Sequence, residues 1–432
     1  MKTIAAHTLG CKVNQYDTQA MLELFERNGY HIVSVSESAE VYLINTCTVT
    51  GVGDKKSLQL IRRIRREHPE SKLIVCGCMA QLCGETLFAS GADVVLGTQN
   101  RHRVVDLLEE TCRTGHPVNA VQPLDEHTPF ECLNVSAQSE RTRAVIKIQE
   151  GCRNRCSYCI IPTVRGPIRS RPPEEIRQEI KRLSHSGYRE IVLTGIHLSS
   201  YGREQPGGAT LTDIIRLAEE EPGILRVRLG SLEPTIATDA FVDELKGFEK
   251  ICPQFHLALQ SGSDTVLARM RRRYNTSQYL EAVSRIRKRF PLAAITTDIL
   301  TGFPGETEQE YAETREMIRK VGFSRIHVFP YSPRPNTPAA EMPAQLSTAE
   351  KETRARELIA LGHDTSIAYL RQWEGLESVI LPETQTEKGW EGYTPEYIRV
   401  RLSSGSGCRS GVPVRVRLGK ADYRCMCGDI ID

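Results

Sequence analysis

The stretch GCRNRCSYCIIP, residues 151–162, carries Cys152, Cys156 and Cys159 in the spacing Cys-x3-Cys-x2-Cys. It follows an apolar run at 144–149 that reads as a strand, so the three thiols sit on the loop leaving that strand. Three thiolates on one tight loop can grip three irons of a cubane and leave the fourth iron without a protein ligand. A catalytic metal needs such an open position, whereas a structural site is closed by a full ligand set. The alternative is zinc with a distant fourth ligand. The spacing, the aromatic Tyr158 before the last cysteine and the barrel-like chain that follows weigh against it.

Downstream of the loop, strand-like runs at 190–194, 226–230, 254–259, 294–300 and 325–329 alternate with helical patterns at 173–186, 211–221, 239–247, 277–290 and 308–321. With the run at 144–149 these make six βα-like units, fewer than the eight of a closed barrel. An α/β fold with an open, partial barrel at its centre is expected. Upstream, strands at 3–8, 41–45, 72–76 and 93–96 alternate with helices at 17–28, 54–68 and 84–90, the pattern of a parallel, helix-covered sheet. Residues 115–138 carry three prolines and little periodicity, so they read as a linker. Residues 330–343 are proline-rich and extended, and 348–370 form a long helix. Past 371 the runs at 378–382, 397–402 and 413–418, with Gly- and Ser-rich turns, suggest a small β-barrel. The expected division is a first domain over 1–115, a linker over 116–138, a barrel over 139–370 and a β-barrel over 371–432.

The 432 residues are 40% hydrophobic and 25% charged, which excludes a disordered chain. A net charge of +2 excludes a uniformly basic protein, so a polyanion site must come from local clustering. No apolar run approaches the ~20 residues that cross a bilayer, and the N-terminus lacks the apolar region of a signal peptide. Fourteen cysteines in such a chain are expected to be ligands or catalysts in a reducing, cytoplasmic setting, not disulfides.

A second trio lies in the first domain. Cys11, Cys47 and Cys78 each follow the end of a successive strand, and ligand crevices of open α/β sheets lie beyond those ends. They are expected to converge on one edge. Cys76, Cys83, Cys112 and Cys252 read as small core residues, Cys132 as an isolated linker thiol, and Cys408, Cys425 and Cys427 as incidental thiols.

The Cys152 loop resembles the cluster loop of the radical S-adenosylmethionine superfamily, and with the strand-end trio the whole chain resembles that superfamily's methylthiotransferases. The string TLGCKVNQYDTQAM, residues 8–21, is most similar to the branch that modifies N6-threonylcarbamoyladenosine beside the tRNA anticodon. The isopentenyladenosine branch tends to have Gln-Met-Asn where this chain has Lys12, Val13 and Asn14. The resemblance implies two 4Fe–4S clusters, one on Cys152, Cys156 and Cys159 and an auxiliary one on Cys11, Cys47 and Cys78. One S-adenosylmethionine methylates a sulfur carried by the auxiliary cluster. A second chelates the open iron and is cleaved to the radical that activates carbon-2 of the adenine. It also implies a C-terminal RNA-binding barrel of the TRAM type, a tRNA anticodon loop as partner, and a reductant such as flavodoxin or ferredoxin. The ending YRCMCGDIID departs from that pattern.

By the same resemblance, Tyr158, Gly195, Glu233, Gln260 and Ser261 are candidate cofactor contacts, Gly195 through its backbone. For each, a strand-end hydrogen bond is the alternative. His197 reads as structural or RNA-facing. Three basic groups suit phosphate docking: Lys55, Lys56, Arg62, Arg63, Arg65 and Arg66; Arg165, Arg169 and Arg171; Arg269, Arg271, Arg272 and Arg273. The tail adds Arg399, Arg401, Arg409, Arg415, Arg417, Lys420 and Arg424. Two rival functions stay open: a methylthiotransferase acting on isopentenyladenosine or a ribosomal-protein aspartate, and a non-enzymatic zinc protein that binds RNA.

Overall fold

The computed structural model describes residues 2–136, 142–387, 389–402, 407–423 and 425–431. Arg424 and the linker boundary at 138/139 lie outside them. The N-terminal sheet contains β1 (Lys2–Thr8), β2 (Tyr30–Val33), β3 (Val41–Thr46), β4 (Lys72–Gly77), β5 (Val94–Val95) and β6 (Val118–Asn119). All are parallel, in the order β2-β1-β3-β4-β5-β6. Every residue of β3 is buried, as the apolar run of a strand covered on both faces requires. The covering helices are α1 (Lys12–Arg27), α2 (Gly51–Glu67), α3 (Cys78–Phe88) and α4 (Val104–Thr114). The two edge strands were not legible as strands: β2 is short, and β6 lies inside the proline-rich segment read as linker. That segment also packs down, with Leu133 and Val135 buried against Tyr16 and Ala20.

Helices α1 and α3 start five and six residues before the expected positions 17 and 84, directly after and at a cysteine. Neither has a side-chain cap, which is why the sequence did not announce them, whereas Thr50 caps α2. Cys76 is fully buried, but Cys112 is exposed, because α4 turns Val104, Leu107, Leu108 and Thr111 inward and leaves the next position outside. Cys83 is half-buried at a kink in α3.

The central domain contains β7 (Arg143–Glu150), β8 (Arg169–Ser170), β9 (Glu190–Gly195), β10 (Arg226–Leu229), β11 (Ser231–Leu232), β12 (Gln254–Leu257), β13 (Ala294–Thr301) and β14 (Arg325–Pro330). β10 and β11 form one strand position broken at Gly230, so six parallel positions run β7-β9-β10/β11-β12-β13-β14. Helices α5 (Ile161–Arg165), α6 (Pro173–His185), α7 (Leu211–Glu219), α8 (Asp239–Lys246), α9 (Asp264–Arg269), α10 (Thr276–Arg289) and α11 (Glu308–Val321) accompany them. Alternate strand residues such as Ile146, Leu193 and Val227 pack outward on this layer. The expected extended segment 330–343 contains a short α12 (Pro338–Glu341).

Among the described residues β14 and β7 do not pair, and the N-terminal domain closes that open side. Gly51 N–H donates to Ser332 Oγ at 3.0 Å and Arg334 Nη2 to Thr48 Oγ1 at 2.7 Å beyond β14. Beyond β7, Lys147 Nζ meets Asp17 Oδ1 at 2.5 Å.

Helix α13 (Thr348–Arg371) leads to a closed barrel of β15 (Glu377–Thr386), β16 (Gly389–Tyr393), β17 (Arg399–Leu402), β18 (Val414–Asp422) and β19 (Cys425–Ile430). The unusual ending thus supplies β19, which pairs parallel with β17 and antiparallel with β18. Arg226 and Arg228 of β10 donate to the carbonyls of Tyr393, Val379 and Pro395 and dock this barrel. Among the described residues no helix is long and apolar enough to cross a membrane.

Candidate functional site

Gly151, at φ +71°, turns the chain off β7, and a side chain there would overlap the Pro167 carbonyl. The following loop is pinned by backbone bonds: Cys152 N–H to Gly166 O at 3.0 Å, Ser157 N–H to Met270 O at 3.0 Å, and Cys159 N–H to Cys156 O at 3.1 Å. Cys152, Cys156 and Cys159 line a cavity of about 170 Å³ together with Tyr158, His197, Glu233, Gln260 and Arg272. Burial pushes the Cys152 thiol up to about 11 and the Cys159 thiol up to about 12. A metal that takes thiolates must therefore drive the protons off, and nearby positive charge helps. Arg272 supplies that charge, donating from Nη1 to Cys156 Sγ at 3.2 Å.

Behind Arg272 stands Glu233, paired with Arg272 Nη2 at 3.1 Å and His197 Nε2 at 3.0 Å. Burial alone would raise its pKa, but the His197 hydrogen bond and the Arg272 charge hold it at about 2. Asn154 bridges His197 and Glu233 at 3.3 Å. Gln260 adopts φ +68° because its N–H reaches Asp298 O while its carbonyl receives Leu300 N–H, which bends the strand end around the cavity.

Two candidates stand elsewhere. Ser261 turns away from the cavity, its Oγ 3.3 Å from Thr314 Oγ1 in the α11 interface. Gly195 packs on Gln149: an added Cβ would lie 2.8 Å from Gln149 Cβ. That closeness lets Gln149 Oε1 accept His197 N–H at 2.6 Å, so Gly195 shapes the wall that Ile196 and His197 line.

In the N-terminal domain Cys11 precedes α1, Cys47 follows β3 and Cys78 opens α3. Asn14 Nδ2 donates to Leu9 O at 2.8 Å and Thr46 O at 3.0 Å, and Asn45 Nδ2 to Asn14 O at 2.9 Å, which ties the first two loops together. A Cβ on Gly10 would lie 3.1 Å from Cys47 Sγ. The uncapped starts of α1 and α3 leave N–H groups that favour negative charge there. Burial pushes Cys47 up to about 11, with Cys78 and Cys11 close enough to raise it further. Cys78 is raised by burial and countered by Arg165, whose Nε donates to its Sγ at 3.2 Å. Among the described residues no three His, Cys, Asp or Glu side chains converge on a single-ion site.

Arg165 corrects an expectation. It is fully buried, bonded to Glu150, Asn14 and Asp17, and so cannot dock phosphate. Arg169 and Arg171 are buried too, Arg171 on Glu179 at 2.6 Å. Arg269 is spent on Glu310 and Arg65 on Asp93 and the Gly91 carbonyl. Charge counts along the chain could not separate these from the exposed Lys55, Lys56, Arg62, Arg63, Arg66, Arg271 and Arg273. In the tail, Arg399 and Arg401 pair with Glu391, and Arg415 and Arg417 with Glu377.

Residues 146–318 match the model of the radical SAM superfamily, and residues 3–97 that of uncharacterized protein family UPF0004. A solved radical S-adenosylmethionine methyltransferase, TsrM from Kitasatospora setae, shares the fold with a TM-score of 0.59 at 13% identity, over 79% of this chain and 74% of that one. The tRNA-2-methylthio-N(6)-dimethylallyladenosine synthase of Pelotomaculum thermopropionicum is 32% identical over 90% of this chain and 88% of its own. The threonylcarbamoyladenosine tRNA methylthiotransferase MtaB of Bacillus subtilis reaches 41% over 98% and 95%. A superfamily that works with S-adenosylmethionine and a 4Fe–4S cluster accounts for the Cys152 loop, and similarity of that extent decides the rest: the chain belongs to the radical SAM methylthiotransferases, in the threonylcarbamoyladenosine tRNA branch.

Proposed function

We propose that the chain adds a methylthio group to carbon-2 of N6-threonylcarbamoyladenosine beside the tRNA anticodon. In this reading Cys152, Cys156 and Cys159 hold the 4Fe–4S cluster that binds S-adenosylmethionine, and Cys11, Cys47 and Cys78 hold a second 4Fe–4S cluster. The observation that carries it is the packing between the two trios. Cys78 packs on Ile160 and Val164, just past Cys159, and Ile161 both touches that group and lines the Cys152 cavity. In this reading the packing of Cys78 on Ile160 and Val164 puts the site for sulfur next to the site for radical generation. An aromatic C–H offers no acidic proton, so the bound cofactors supply the hard step and the protein supplies distance and orientation.

The chain's own groups divide accordingly. Arg272 balances the thiolate charge at Cys156, and Glu233 with His197 and Asn154 fixes Arg272 and forms one cavity wall. Tyr158 and Gln260 line the cavity and would meet the cofactor, and Gly195 acts through the neighbouring backbone. Arg165 does for Cys78 what Arg272 does for Cys156. The exposed cations of α2, with Arg271 and Arg273, would position the anticodon stem without reading sequence. A flavodoxin- or ferredoxin-like reductant in the cytoplasm completes the reading.

The test incubates anaerobically reconstituted protein with S-adenosylmethionine, dithionite and an anticodon hairpin carrying threonylcarbamoyladenosine. Nucleoside mass spectrometry should show the methylthio product. Product from an isopentenyladenosine hairpin instead, or a colourless zinc protein with no product, would sink the assignment.

A further inference from the structure

Phe329 is the one exposed phenylalanine of the chain, 44% open to solvent, and it sits near the end of a barrel strand. Side chains alternate across a strand. Ile326 and Val328 pack on the core beneath the helices, so Arg325, His327 and Phe329 take the other face of β14, toward the lumen of the partial barrel. The His327 ring confirms that direction, 6.2 Å from the ring of His256 across β13.

The register sets the height of each residue. His327 stands opposite Asp298, and Phe329 stands opposite Leu300. Leu300 N–H donates to the carbonyl of Gln260, just past β12, at 2.8 Å. Gln260, Leu300 and Phe329 therefore share one level at the C-terminal ends of the strands, where chemistry gathers in such folds. Two strand spacings, about 10 Å, separate Phe329 from Gln260. Gln260 and Tyr158 line the cofactor cavity, and Tyr158 and Leu300 pack on one apolar group around Phe303. In the other direction the chain leads to the Cys47 loop. Ser332, three residues past Phe329, accepts Gly51 N–H at 3.0 Å, and Gly51 lies between the exposed Val49 and Val52. One level below Phe329 the wall turns polar, with Asp298 beside His327 and 3.4 Å from His256 Nε2. Phe329 is thus an uncovered ring on the upper rim of a polar lumen, between the cofactor cavity and a cysteine loop.

Single apolar side chains on an outer surface are ordinary. This ring instead lies on a concave wall, beside the two places that must act on one flat purine. Stacking suits that purine for a chemical reason. Carbon-2 and its hydrogen lie at the edge of the adenine ring, so a partner on the ring face holds the base and leaves the reacting edge open. We propose that the adenine of the substrate nucleoside stacks on Phe329. The inference rests on the substrate assigned above and adds the side chain that orients it.

Binding tests it as a double-mutant cycle. Anaerobic holoenzyme, with iron content checked in every variant, is titrated with fluorescent anticodon hairpins carrying either threonylcarbamoyladenosine or an abasic sugar at the target position. The wild type should bind the intact hairpin about tenfold more tightly, the scale of one base–aromatic stack. Phe329→Ala and Phe329→Leu should bring the two hairpins within about twofold of each other. Phe329→Trp should keep the difference, because a leucine retains apolar surface but only a ring stacks. A Phe329→Ala variant that keeps the tenfold difference would overturn the inference, as would equal weakening toward both hairpins or a wild type that binds both alike. If the wild type forms the methylthio product in any of those cases, the function stands without the stack. If the difference depends on Phe329 and no product forms, the stack stands and the reaction proposed above falls.

Discussion

Cys152, Cys156 and Cys159 come from one short loop, whereas Cys11, Cys47 and Cys78 come from three separate strand ends. The first set is held by bonds within and just beside its loop, such as Cys152 N–H to Gly166 O and Cys159 N–H to Cys156 O. The second depends on the parallel register of β1, β3 and β4 and on Asn14 and Asn45 between them. Each trio nevertheless has one buried arginine on one sulfur: Arg272 on Cys156 and Arg165 on Cys78. The difference teaches that a local motif can survive partial loosening of its domain, while a site assembled across a sheet lasts only as long as the sheet does.

The largest effect separates the trios by chemistry. Cys156→Ala should abolish both product and the cleavage of S-adenosylmethionine, with iron falling from about eight to about four per chain. Cys78→Ala should abolish product with the same loss of iron, yet still yield 5′-deoxyadenosine on reduction. Equal loss of cleavage in both variants would erase the distinction between the sites.

Arg165→Met comes next. It strips one cation from Asp17 and Glu150 inside the interface between the first two domains, each of which keeps Lys147, so the loss is that of a buried charge-assisted hydrogen bond, about 1.5–3 kcal/mol. Thermal unfolding should show that loss, with the N-terminal cluster released before the Cys152 cluster. Simultaneous release would contradict the proposed difference in robustness.

Acid titration probes the Cys152 side. The folded Glu233 carboxyl, at about 2, lies below its unfolded value of about 4.3, so its stabilisation is complete above that pH and fades as pH falls toward 2. The contribution is roughly 2–3 kcal/mol. In Glu233→Gln, stability should lose this part of its acid dependence; an unchanged slope between pH 4 and 2 would show that Glu233 is not held so low. The smallest effect is expected outside both sites. Cys112→Ser, on the exposed side of α4, should change stability by no more than about 0.5 kcal/mol and leave the iron content unchanged.

Much of this was readable along the chain. The alternation of apolar runs and helices marked two α/β sheets and a β-rich tail and put Cys11, Cys47 and Cys78 at strand ends, because both signals are local or periodic. Starts of α1 and α3 were misplaced because they lack capping side chains, and β19 went unseen because a Cys-rich ending carries no strand pattern until β17 and β18 flank it. The misreading of Arg165, Arg169 and Arg171 has the same root. A charge in sequence carries no record of whether Asp17, Glu150 or Glu179 waits beside it.

The amino-acid sequence by itself determined the chemistry available to this protein: six thiols in two sets, a six-unit barrel and the family to which they point. Only the tertiary structure decided which charges sit against those thiols and which candidates reach the cavity. The reason is physical, since thiol spacing on a loop is a property of neighbours in the chain. The partners of Arg165 and Arg272 are set by the packing of elements far apart in it.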